Sequence, residues 1–361
     1  MLTLGEHARR SLLLALVAGG VVAAVVLMAM IALPFVIPAE ELRRAASQAI
    51  TGTTGQRVKM SGDPVLRMFP SPRLSMGKVE FPLPKGQSLD AESVDARLNL
   101  WPLVFGQVDV ADVTLYRPTL VLTGAHVVPA VALAPFLAEK DLPELRVADG
   151  TIAWRDETGL TRELVSGIVG NLDRILDGKG IAVAVDFDWR DVPVSAKLLM
   201  DDAPAFMAGT QTPMRLSIRT DTSRAFFGGK AALGASFSAT GEVTARTTSL
   251  RDVIAWLGGS APTSGGLAGF DLSARLKVED GAADLTETQI DLDGNRSDGA
   301  LLVKLSGPRP LIQGTFASDS LNLTPYGRMR FTGSNGRDWD RRSIDVSFLK
   351  DFDVDLRLSA A

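Results

Sequence analysis

The sequence predicts a mainly β protein held to a membrane by one N-terminal helix. Three observations carry this. One uncharged apolar run is long enough to span a bilayer. The hydrophobic period beyond it is two. Gly, Asp, Asn and Pro recur between the alternating segments.

The apolar run extends from Leu12 to Leu33, 22 residues without a charge. At the helical rise it reaches roughly 33 Å, enough to cross a hydrocarbon core of about 30 Å. Pro34 and Pro38 end it. A cleaved signal peptide has a shorter apolar core and a small-x-small site, which Met30-Ile31-Ala32 does not supply. His7, Arg9 and Arg10 precede the run, and Arg43 and Arg44 follow it, so flanking charge sets the orientation only weakly. A ten-residue tail on the cytoplasmic side, with the large C-terminal part exported, is the expected arrangement.

Pro38 to Ile50 reads as a short amphipathic helix. Glu40 and Glu41 lie in its first turn, Leu42, Ala45, Ala46, Ala49 and Ile50 share a face, and Gly52 and Gly55 stop it. Alternation follows: Val94, Ala96, Leu98 and Leu100; Ile181 to Trp189; Leu272 to Val278; Leu301, Val303 and Leu305; and Phe352 to Leu358. Each is a strand with one apolar and one solvated face. Roughly fifteen such strands imply a long antiparallel sheet of meanders. Ala148-Asp149-Gly150, Leu292 to Asn295 and Gly307-Pro308 are expected turns.

Helical pattern is brief. Val131 to Lys140 holds one turn or two, and Ser249 caps a clearer helix that stops at Gly258-Gly259. Ser260 to Gly269 reads as a connector. The expected divisions are a tail and membrane helix at 1–37, a mouth helix at 38–55, a first β segment at 56–259 and a second, truncated or open-ended, at 260–361. The strand begun at Phe352 would leave an unpaired edge, so the chain is expected either to belong to a longer architecture or to dock another chain there.

Zero cysteine excludes disulfides and thiolate metal sites. A net charge of −4 without a large basic patch argues against nucleic acid. The two histidines, His7 and His126, stand in no metal or catalytic spacing. Neither a nucleophile elbow nor a phosphate loop is present. Asp201-Asp202 and the Asp291, Asp293 pair read as solvated turn residues rather than cation ligands. No catalytic residue, metal ligand or cofactor is assigned, and the expectation is a non-enzyme.

A long sheet must cover its apolar face by packing on a second sheet, closing into a barrel or curling into a trough, and periodicity does not choose among these. A trough could hold acyl chains, each buried methylene contributing about 0.8 kcal/mol. The candidates for its lining are Val94, Leu98, Val183, Phe187 and Leu276.

The run Thr51 to Asp63, followed by Met68-Phe69-Pro70-Ser71-Pro72-Arg73-Leu74, resembles the AsmA family. So do Ala91 to Leu100, the turn Trp101 to Gln107, Tyr116-Arg117-Pro118, Val147 to Trp154, and Ser249 to Gly258, in the family's order. The resemblance implies an inner-membrane protein whose β domain projects into the periplasm. It implies a role in outer-membrane biogenesis and a curled β-groove, similar to the bridge-like repeating β-groove proteins that carry phospholipid between membranes. Its implied partner is membrane lipid, chiefly phospholipid. The alternative is a structural or assembly factor that contacts outer-membrane proteins through its sheet edges.

Overall fold

The computed structural model describes residues 59–61, 63–83, 86–104, 109–123, 143–176, 178–234, 236–259, 265–304, 309–322, 324–326 and 353–360. The apolar run Leu12–Leu33, the helices expected at Pro38–Ile50 and Val131–Lys140, both histidines, Leu305, Gly307-Pro308 and Phe352 lie outside them. Among the described residues no helix is long and apolar enough to cross a membrane.

The described residues are mainly strand, and the chain divides into two compact units, at 1–127 with 143–162, and at 128–142 with 163–361. The boundary expected near residue 260 instead falls inside the second unit. There the strands on either side of it pair directly, Thr247 with Phe270.

In the first unit, β1 (Lys59–Met60), β2 (Val65–Arg67), β3 (Arg73–Met76), β4 (Val79–Pro82), β5 (Ser88–Ala91) and β6 (Ser93–Leu98) precede a short helix, α1 (Leu100–Val104). Then come β7 (Val110–Tyr116), β8 (Thr119–Thr123) and β9 (Glu144–Arg155). β3 with β4, and β6 with β5, are halves of two long ribbons. Met76 pairs with Val94 and Val79 with Ala91, so one register runs through the break. Alternation turns Leu66, Leu74, Val94, Ala96, Leu98 and Leu115 to one face, where they form a buried core with Met76 and Val79. Ala148-Asp149-Gly150 is not a turn. Asp149 takes φ 60° while β9 runs on through it, an irregularity within the strand.

The second unit is a meander: β10 (Thr161–Ile175), whose first two residues belong to the first unit, β11 (Gly180–Trp189), β12 (Val192–Met200), helix α2 (Ala203–Met207), β13 (Thr212–Arg219), β14 (Ser223–Leu233) and β15 (Phe237–Thr247). Helix α3 (Leu250–Trp256) follows, then β16 (Phe270–Glu279), β17 (Ala282–Leu292), β18 (Asn295–Lys304), β19 (Leu311–Ser318) and β20 (Asp353–Ala360). Neighbours pair antiparallel from β10 to β19, and among the described residues no pairing closes them into a barrel. Three hairpins turn on two residues of positive φ, Arg190-Asp191, Asp280-Gly281 and Asp293-Gly294, the mark of type I′ turns that match strand twist.

The sheet is mixed rather than wholly antiparallel. β9 runs parallel to β7 and β8, and β20 parallel to β19. Parallel neighbours need a long return connection, and the chain has one before each: residues 124–143 before β9, and 319–352 before β20. Strand alternation alone carries no record of that direction.

Candidate functional site

The second unit has two unlike faces. On the apolar one, Val183, Leu198, Leu216, Phe227, Val243 and Ala274 are successive register partners across six strands. A second row continues it through Gly241, Leu276, Leu285, Leu301, Gly314 and Leu356. Near one end, Ala203 and Phe206 of α2 bury against Ile181, Met200, Met214, Phe227, Ala231 and Ala239. The helix forms there because Asp202 accepts a hydrogen bond from the Ala205 N–H at 2.8 Å, with Pro204 in the first turn.

Beyond this seat, among the described residues, the apolar face is mixed, with Ala274 and Leu285 buried and its last strand exposed. Ile218, Val354 and Leu358 are exposed, and Leu356 is 53% exposed. Every residue of β20 is exposed. α3 ties one end of the sheet. Ser249 caps it, accepting from the Asp252 N–H. The Trp256 indole donates to the Trp189 carbonyl at 2.9 Å, and Arg190 donates to the Trp256 carbonyl at 2.7 Å. The two indoles meet edge-on at 4.8 Å between centroids, with Arg190 lying 5.6 Å over Trp189. The β15–β16 connection is thereby fastened to the β11–β12 turn.

The expected lining residues separate. Val94 and Leu98, 2% and 5% exposed, are packed into the core of the first unit. Val183 and Leu276 are half-buried and pack against the α2 cluster. Phe187 is half-buried and borders a smaller cavity of about 410 Å³.

The opposite face is polar. A cavity of about 1120 Å³ spans eight strands, β11 to β18, and takes three consecutive residues from each. Two of every three belong to the polar face. One row there reads Asp186, Ser195, Arg219, Arg224, Arg246, Asp271, Asp291 and Arg296, all register partners. Arg246 pairs with Asp271, and Arg296 with Asp291 at 3.2 Å.

The acidic residues flagged in the sequence have structural work. Asp202 caps α2. Asp291 accepts from the Gly294 N–H at 2.9 Å. Asp293 accepts from the Leu267 and Ala268 N–H groups and from the Tyr326 hydroxyl at 2.6 Å. Burial and this bond to a carboxylate push the Tyr326 hydroxyl above its ordinary range. Sequence reasoning missed both α2 and the charged cavity row. Asp-Asp-Ala-Pro is a helix-start signal that could have located the first. The second required the register of eight strands.

Among known families, the AsmA family model matches residues 7–125. Over that stretch the chain is similar to the AsmA family. The matched part covers the AsmA-like run Thr51 to Leu74 and the Tyr116-Arg117-Pro118 step, and reaches through β8. The motifs at Val147–Trp154 and Ser249–Gly258 lie beyond it. No curated protein matches the chain.

Proposed function

We propose that this chain, AsmA-like over residues 7–125, is a non-enzymatic cell-envelope protein that binds phospholipid on the apolar face of its second unit. It passes that lipid between inner and outer membrane in support of outer-membrane biogenesis. The supporting observation is the apolar ladder from Val183 to Leu356, which α2 covers only near one end. Acyl chains laid on it would each contribute about 0.8 kcal/mol per methylene removed from water. In this reading Leu12–Leu33 anchors the chain in the inner membrane, with the β units in the periplasm. The test is photo-crosslinking of the full-length protein in its membrane. A crosslinker at Val183, Leu276 or Leu356 is expected to capture phospholipid, while one at Arg275, on the polar face, does not. Capture at none of the apolar positions would overturn the proposal.

A second reading has its own observation. β20 is exposed on both faces and pairs only with β19 among the described strands, which leaves backbone groups available to an added strand. An assembly factor would lose its protein partner on deletion of residues 353–360 while keeping bound lipid.

A further inference from the structure

We propose that the polar face of β12, β13 and β14 binds a phosphate-type anion, held first by Arg219 and Arg224. These three strands carry Lys197, Arg215, Arg219, Arg224 and Lys230 and not one Asp or Glu, in a chain whose 42 acidic residues outnumber its 38 Lys and Arg. Register puts all five cations on the same face: Lys197 opposite Ser217, Arg219 opposite Arg224, Lys230 opposite Pro213.

Neighbouring strands treat charge differently. Arg246 is bridged to Asp271, Arg275 to Glu287, Lys277 to Glu279 and Arg296 to Asp291. Among the described residues, none of the five cations of β12–β14 has such a partner. Asp221, in the turn between β13 and β14, bridges to neither flanking arginine, and Asp186 accepts its bond from Ser195. Arg219 and Arg224 stand directly opposite, with Cα atoms about 5 Å apart by strand geometry. Two like charges so placed repel. An oxyanion between them reverses that sign, because each guanidinium offers a planar fork of donors to a phosphate.

The same residues border a space that could take such a ligand. Lys197, Arg219 and Arg224 line the cavity of about 1120 Å³, together with the Ser217 hydroxyl and Phe226, which is 42% exposed. A phosphate group would sit at the arginines, and an attached organic part would lie against Phe226. A lipid headgroup and a free phosphate share this chemistry. The site stands apart from the apolar face, so it does not require that face to carry lipid.

The experiment uses the full-length protein in a non-ionic detergent, with two probes: inorganic phosphate, and detergent micelles doped with phosphatidylglycerol, each followed by ³¹P NMR titration. Saturable binding of either probe is expected, weakened about tenfold or more in R219Q/R224Q. Binding of both probes assigns the site to free phosphate; binding of phosphatidylglycerol alone assigns it to a headgroup. R224K keeps the charge but loses the planar fork, and is expected to bind with intermediate affinity, which supplies a second reading should the double variant fold poorly. R246Q/R296Q, which removes two cations already paired on the same face, is expected to bind as the parent does. No saturable binding of either probe, or equal losses in R246Q/R296Q and R219Q/R224Q, would overturn the proposal. Anion binding without lipid crosslinks on the apolar face would leave this inference standing and remove the lipid reading alone.

Discussion

Single side chains hold the second unit at points where the backbone would otherwise be unsatisfied. Asp202 satisfies the first turn of α2, and α2 in turn seats Phe206 in the core. Asp202→Ala is expected to lower stability by about 1 kcal/mol, read from urea unfolding, while Asp202→Asn, which can still accept that bond, stays close to the parent. Asp293 gathers two backbone N–H groups and the Tyr326 hydroxyl. Because burial and Asp293 raise the Tyr326 hydroxyl in the folded state, folding favours its neutral form. That contribution is complete below the unfolded tyrosine value of about 10 and is lost as pH rises beyond it. Stability should therefore fall on the alkaline side, and Tyr326→Phe should flatten that limb of a pH series of thermal melts.

Elements are placed by how closely backbones approach. Gly229 and Gly241 face each other across β14 and β15. A Cβ added to Gly241 would meet the Gly228 carbonyl oxygen at 2.3 Å and the Gly229 Cα at 2.6 Å. These neighbours are backbone, so no rotamer change relieves the clash. Gly241→Ala is expected to cost the upper part of about 1–3 kcal/mol, measured by chemical unfolding, whereas Gly294→Ser, at a turn where an added Cβ meets nothing, is strained only through its φ of 83°. Strand and turn positions were legible at this scale. Leu292-Asp293-Gly294-Asn295 is a two-residue turn, and Ser249 opens α3, because both depend on local chemistry. The parallel placement of β9 and β20 was not legible, since alternation reads a strand's faces and is blind to its direction.

At the scale of the whole molecule, the N-terminal apolar run and the β units answer to different physics. A 22-residue uncharged run is expected to hold the chain in the membrane fraction through an alkaline carbonate wash, and release into the supernatant would remove the anchor. The sequence by itself determined the apolar run, the two-residue period of the sheet and the AsmA-like order of motifs, because composition and spacing along the chain suffice for each. Tertiary structure decided which apolar residues are core and which stay open. Val94 and Leu356 alternate alike in sequence, yet one is enclosed by its neighbours and the other is exposed. It also decided that Arg219, Arg224 and Lys197 meet beside one cavity while Arg246 is neutralised by Asp271. Charge and burial act through space, and only strand register brings distant positions within reach of one another.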